Sequence, residues 1–299
     1  MSIDSRKISA KHYYDYLPPL RHQCGDIWAN LPTFGLLGKD FVSGLIVTPA
    51  CDLSNTKTET VTYLPIISVL EYFSTRAQVP ILKRKIIGNY SSTQFPSKLD
   101  WGAYEFSPPN IDKIDEEIAS ISNYLIAKQR SVSDINSLNR ASSALKLLRA
   151  ASSGILIEPD SKDLSTAFGG EIDKILSRIV TNAFSTDLHF LPADGQPSEY
   201  SGILKHSVAL FRYPLTVPIE ILDIAAESSN HTWRQAKSER QRDIPSIKHY
   251  SENPPVKMLS LSSGFLSDLL SRYVNVFNRI GSPDFTPSTI SQIIAEVKS

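Results

Sequence analysis

The spacing of apolar residues changes twice along the chain and divides it into three parts. In the first part the pattern is that of strands and turns. Gly25-Asp26-Ile27-Trp28 begins a short strand, and Leu31-Pro32-Thr33-Phe34-Gly35 breaks it. Gly44-Leu45-Ile46-Val47-Thr48 is a continuous apolar, β-branched run, which predicts a strand buried on both faces and ended by Pro49. Thr60-Val61-Thr62-Tyr63-Leu64-Pro65-Ile66 alternates with period two, as a strand with one wet face does. Between these two runs, Cys51-Asp52-Leu53-Ser54-Asn55 reads as a polar turn.

The pattern then becomes helical. After the breaker Pro108-Pro109-Asn110, Ile111, Ile114, Ile118, Ile121 and Leu125 recur three and four apart. Ser131 to Asp134 offers caps for a second helix carrying Ile135, Leu138, Ala141, Leu145 and Leu148, with Gly154 near its end. Ile172, Ile175, Leu176, Ile179, Val180 and Ala183 predict a third. Strands return at Asp187–Pro192, Val208–Phe211 and Tyr213–Pro218. The stretch 227–257 is polar and charged, a loop or an exposed helix. Phe265, Leu269, Leu270, Tyr273, Val276, Phe277 and Ile280 mark a terminal helix that Gly281 stops, and a last short helix is expected at Ile290–Val297.

Neither set of strands alone makes a sensible sheet core. The expected fold is therefore α+β: one small, strongly bent β-barrel built from both ends of the chain. Residues 1–107 supply its first part, 108–186 a helical insertion, and 187–299 the remaining strands and C-terminal helices. Composition is consistent with a single elaborated domain. Of the 299 residues 41% are hydrophobic and 21% charged, which excludes a disordered or collagenous chain. The 31 basic residues balance the 31 acidic ones, which argues against a generally basic nucleic-acid binder but not against a local basic groove. With two cysteines, Cys24 and Cys51, a four-cysteine zinc site is impossible, and two free thiols in a reducing compartment are expected. The N-terminal stretch carries no apolar leader, and no apolar run approaches the ~20 residues that span a bilayer. A soluble, cytoplasmic protein with no membrane partner is expected.

The runs Gly25–Trp28, Gly44–Thr48 and Thr60–Ile66 resemble the PemK/MazF-like toxins. That family opens with a Gly-Asp-Val/Ile-Trp strand, continues with Arg-Pro-Ala-Leu-Val-Val-Ser, and then has Val-x-Val-x-Pro-Ile/Leu-Thr. Larger bacterial relatives of such barrels are more similar still. They carry a Cys-Asp turn after the second strand, here Thr48-Pro49-Ala50-Cys51-Asp52-Leu53, and tend to end in a helix like Ser271–Pro283. The resemblance covers residues 25–66 and the C-terminal helix. It implies an SH3-like barrel with helical insertions, and in the typical toxins metal-independent cleavage of single-stranded RNA. The catalytic residues do not carry over. The family's arginine falls at Phe41 and Val42, and its threonine at Ile67. Cleavage at the 2′-OH needs a proton acceptor and a cation, and neither position supplies one.

Three readings follow. The first is a non-catalytic binding or accessory protein, in the toxin–antitoxin or anti-phage defence setting that the resemblance implies. It would recognise a protein partner, a second copy of itself, or single-stranded RNA or DNA. The second is an endoribonuclease with a rearranged site, using Asp52 with Lys39 or Arg84; convergence of Asp52, Lys39 and a histidine in an open groove would favour it. The third is a small-molecule sensor whose pocket holds Cys51 and Asp52; a separate catalytic reading makes Cys51 a nucleophile with His22 or His189 as its base. The plainer alternative for Cys51-Asp52 is a tight turn. Candidate nucleic-acid contacts are Lys83-Arg84-Lys85 near Tyr90, and Trp233 beside Arg234, Lys237 and Arg240, because phosphates pair with cations while bases stack on rings. The six histidines show no ligand spacing, so no metal is expected. No phosphate loop or dinucleotide fingerprint is present, so no cofactor is expected either.

Overall fold

A computed structural model describes residues 10–16, 21–55, 57–127, 131–198 and 200–277. The chain begins with α1 (Ala10–Tyr13), β1 (Tyr14–Asp15), β2 (Asp26–Pro32), β3 (Phe41–Ile46), a helical turn α2 (Ala50–Ser54) and β4 (Thr60–Ser68). A helical stretch follows: α3 (Val69–Tyr72), α4 (Val79–Thr93), α5 (Ile111–Ala127), α6 (Val132–Ser152), α7 (Ser161–Phe168) and α8 (Ile172–Val180). Then come β5 (Leu188–Leu191), β6 (Ser207–Leu210), β7 (Leu215–Pro218), α9 (Ile219–Ala226), α10 (Asn230–Arg240), β8 (Val256–Leu261) and α11 (Ser263–Phe277). Gly281 and the helix expected at Ile290–Val297 lie outside the described residues.

The eight strands form one antiparallel sheet in the order β1-β8-β2-β3-β4-β6-β5, with β7 paired to the first half of β4. Period-two alternation sorts its central side chains onto two faces. Ile27, Leu45 and Leu64 share one core with Leu269 and Val276 of α11. Their neighbours Trp28, Ile46 and Tyr63 share another with Ile221 and Leu222 of α9 and with Trp233. A third core lies among α4–α8 and reaches the sheet through Ile67, Phe190 and Val208.

Several expectations are corrected. Residues 69–93 are helical rather than strand and turn. In α4 the buried positions Val79, Leu82, Ile86, Tyr90 and Thr93 keep spacings of three and four, although Lys83-Arg84-Lys85 interrupts the apolar run. The helices α5–α8 fall within 108–186, but α4 packs on α6, so the helical layer draws on residues before 108 as well. Cys51 and Asp52 sit in a helical turn. The charged stretch 227–257, expected as a loop or exposed helix, contains helix α10, and only its last two residues enter strand β8. The capping expectation at Ser131 holds: its hydroxyl accepts from the Asp134 N–H.

The hydrogen-bonded ladder does not close, so the barrel expected from the sequence is not a closed one. The two ends of this path, β1 and β5, are joined instead by side chains. The Tyr13 hydroxyl lies 3.2 Å from the Phe190 carbonyl and 3.0 Å from His189 Nε2. Tyr14 donates to the Pro192 carbonyl at 2.6 Å, and Tyr16 to the Asp194 carbonyl at 2.9 Å. Three hydroxyls thus stitch β1 to β5 and the chain just after it. A single arrangement suits Tyr13: it donates to Phe190 and accepts from the Nε2–H of a neutral His189, whose buried Nδ1 has no partner. Burial holds the His189 imidazole down at about 4, with Asp268 opposing and Arg272 adding to the shift.

The junction of β2 and β8 holds a buried ion pair. Asp26 is fully buried, and its Oδ2 lies 2.8 Å from Lys257 Nζ. Ser260 Oγ and the Gln23 N–H complete the carboxylate's partners. Lys257 also donates to the Arg21 carbonyl and lies over the Trp28 ring. No helix among the described residues is long and apolar enough to cross a membrane.

Two outcomes are expected. Lys257→Met leaves Asp26 buried without its counter-charge and should lower stability by about 3–5 kcal/mol in urea unfolding. Adding Asp26→Asn should recover much of that loss. The second concerns acid. Below pH 6.5 the unfolded chain protonates His189 while the folded chain does not, so the His189 contribution to stability should fall from pH 6.5 to about 4 and then level off. The His189 share of that fall is at most about 3 kcal/mol, and His189→Gln should flatten it.

Candidate functional site

The residues proposed as catalytic from the sequence do not converge. Lys39 lies just before β3 and pairs with Glu71 at 2.9 Å. Glu71 also closes the capping box of α3 with Ser68. Cys51 and Asp52 lie beyond the other end of β3. At about 3.3 Å per residue, the six residues of β3 alone put roughly 20 Å between them and Lys39. Cys51 is exposed, with its Sγ 3.5 Å from Asp52 Oδ1. The helical turn around them is held by the Asn55 side chain on the Cys51 carbonyl and by the Lys57 N–H on the Asp52 carbonyl. Neither histidine offered as a base is bonded to Cys51: His22 Nε2 engages Asp223 at 2.8 Å, and His189 is held by Tyr13. Cys24 is half-buried, and its thiol is pushed up to about 11 by burial and then by Asp26, which keeps it protonated and unreactive.

The two basic clusters are largely engaged. Consecutive helical residues point about 100° apart, so Lys83, Arg84 and Lys85 fan out around α4. Lys83 lies 5.2 Å from the Trp101 ring centre. Lys85 pairs with Glu171 at 2.6 Å and covers the Phe168 ring. Trp233 is fully buried and donates its Nε1–H to the Ser251 carbonyl, so its ring has no free face for a base. Arg234 and Lys237 both address Glu252, at 3.7 and 2.9 Å, and Arg240 lies 4.0 Å from Glu220.

Arg84 faces differently and leads to a cleft that the sequence did not suggest. Arg76, Pro80 and Arg84 stand four apart along one side of the helical segment that begins at the turn 76–78 and continues as α4. With Arg178 from the last turn of α8 and Arg212 just after β6, they line an open cleft of about 990 Å³ between the helical layer and the β5–β6 end of the sheet. Two carboxylates, Glu105 and Asp187, also line it. Four arginines against two acids leave a surplus of two positive charges.

Four aromatic residues also line it: Phe106, Phe184, Tyr213 and the largely buried Tyr72. Phe106 is exposed, and Phe184 meets Tyr72 edge to face. Arg178 is fixed by a 3.0 Å bond to the Ala183 carbonyl and stacks over Phe184. Arg212 gives its Nε–H to Asp187 at 2.9 Å, and Arg84 sits 3.6 Å from Glu105 with both side chains exposed. Exposed pairs of this kind are worth less than about 1 kcal/mol, so a phosphate can displace them. Arg76 is exposed and has no ion pair among the described residues. Burial raises the Tyr72 hydroxyl well above its ordinary range, with Asp187 adding to the shift, so it remains a neutral donor.

Among the described residues, no group of three or more histidine, cysteine, aspartate or glutamate side chains could hold a metal ion. The cleft's chemistry is that of arginine and aromatic rings: planar, multidentate anion binding beside π-faces. Comparison with protein families, with curated proteins and with solved structures returned no match to this chain.

Proposed function

We propose that this chain is a non-catalytic binding protein whose arginine- and ring-lined cleft takes single-stranded nucleic acid. The observation that carries the reading is the meeting of Arg76, Arg84, Arg178 and Arg212 with Tyr72, Phe106, Phe184 and Tyr213 around one open cleft. Single strands offer both phosphates and unpaired bases, and a groove with cations and rings suits both. A duplex hides its base faces and matches less well. The volume of about 990 Å³ is at the upper end of small-ligand sites and admits more than one nucleotide. The separation of Lys39 from Asp52 supports binding over cleavage by those groups. The accessory role in a bacterial toxin–antitoxin or anti-phage defence system rests on the resemblance at residues 25–66. On the same footing we read the sheet as an SH3-like barrel opened at one seam, which the tyrosine hydroxyls span.

Fluorescence anisotropy with a labelled single strand of about 12 nucleotides tests the reading. RNA or DNA single strands should bind more tightly than a duplex and remain intact in EDTA. Replacing Arg178 and Arg212 together by alanine should weaken binding at least tenfold. It should also reduce the log–log salt slope by about 1.4, near 0.7 for each phosphate that is no longer neutralised. No binding at low salt, or an unchanged slope in the double variant, would sink the proposal.

A further inference from the structure

Residues 94–110 link α4 to α5 without regular secondary structure. Both ends of the link are held. Leu99 and Trp101 pack against the helical core, and the buried Glu117 carboxylate accepts from the Ser97 hydroxyl and the Lys98 N–H. Pro109, just before α5, is buried. Between these anchors, Gly102, Ala103, Tyr104, Glu105 and Phe106 are all exposed. Among the described residues, a single hydrogen bond or ion pair ties this tip to another element: Glu105 Oε1 lies 3.6 Å from Arg84 of α4. The bond from the Ser107 N–H to the Tyr104 carbonyl stays within the loop.

The tip is made of groups that suit the neighbouring cleft. Tyr104 is 79% exposed and Phe106 56%, so two large rings stand in water on either side of Glu105. Glu105 and Phe106 line the cleft, whereas Tyr104 does not. A carboxylate offers a guanidinium the same oxygen acceptors as a phosphate does. Glu105 thus occupies a cation that a ligand phosphate would need. Both side chains of the pair are well exposed, and such a pair is weak enough to exchange.

We propose that residues 102–106 are a lid latched by Glu105 on Arg84, an autoinhibitory contact that a strand phosphate replaces. Release of the carboxylate frees the tip, and Tyr104 then joins Phe106 in stacking on the bases. The latch lowers the apparent affinity in proportion to the fraction of molecules in which it is formed. This inference rests on the single-strand reading of the cleft for its ligand, but the latch itself is measured without a strand.

The first measurement is limited proteolysis of the free chain with chymotrypsin, following the cuts after Tyr104 and Phe106 by mass spectrometry. A protease needs a loop that can leave the surface. Glu105→Gln and Arg84→Gln should each speed these cuts roughly two- to fivefold, the range of a weak surface pair, and the double variant should be no faster than either. Inorganic tripolyphosphate should speed them in wild type and leave Glu105→Gln unchanged. The second is strand affinity by anisotropy. Glu105→Gln should tighten binding roughly two- to fivefold, and that gain should fall towards one in the Arg84→Gln background. Tyr104→Ala should weaken binding although the residue does not line the cleft. If tripolyphosphate releases the loop but no strand binds, the latch stands and the single-strand reading fails by itself. Cuts that neither variant accelerates overturn the latch. So does a gain from Glu105→Gln that is absent, or that persists without Arg84, since loss of any negative charge would then account for it. Strand affinity unchanged in Tyr104→Ala overturns the lid, and so does the absence of both strand binding and a tripolyphosphate response.

Discussion

The pairing of β8 with β2 sets the last described strand between β1 and β2, next to the edge of the sheet, and the buried Asp26–Lys257 pair lies in that junction. A carboxylate with no exposure is tolerable only with its counter-charge and its hydrogen bonds in place. All three partners converge: Lys257 and Ser260 from β8, and the Gln23 N–H from the turn before β2. The hydrophobic pattern excludes a slip of one residue, which would turn every side chain to the wrong face, and a slip of two would take Lys257 and Ser260 away from Asp26. The charge fixes the register. Once it is fixed, Leu259 and Leu261 point to the α11 side, and α11 has a face to cover.

The layering explains where the cleft lies. The sheet is covered by α11 on one face and by α9 and α10 on the other, while the helical layer packs against the end formed by β4, β5 and β6. The layer shares a core with the sheet through Val42, Ile67, Leu188, Phe190, Val208 and Leu210, and the groove opens beside that contact, with Leu210 in its wall. Arginines from the turn 76–78, from α4, from α8 and from the loop after β6 all border it. Net charge is zero over the whole chain, yet this groove is cationic. Lys85, Arg234, Lys237 and Arg240 are largely balanced by carboxylates that face them, whereas Arg76 is not.

Much of the fold could be read from periodicity. Strand β4 and the helices α5, α6 and α11 lie where their spacings put them, whereas β2 runs on through Leu31 and Pro32, which read as a break, and β3 begins at Phe41, before the apolar run that predicted it. Strand β8 was hidden because Val256-Lys257-Met258-Leu259-Ser260-Leu261 follows a charged stretch and puts a lysine and a serine at buried partners of Asp26. Helix α4 was hidden because three cations sit in the middle of its sequence. The cleft was less legible still. Its arginines come from separate segments, each as an isolated residue, and only Arg84 belonged to a visible cluster. Trp233 illustrates the opposite error: an aromatic beside cations suggested stacking, but tertiary burial had already used the ring. Local composition reports charge; only the fold reports what each charge faces.

The tyrosine stitching between β1 and β5 has a consequence for the molecule among its neighbours. An open sheet presents two rows of unpaired amides and carbonyls, each a template for a strand from another chain. Here β1 has only two residues, and the Phe190, Pro192 and Asp194 carbonyls already accept tyrosine hydroxyls. The Phe190 N–H is taken by the Asn182 side chain. The β1 and β5 ends of the sheet therefore cap each other and offer little to a passing strand, while β7, paired only to β4, keeps its outer edge.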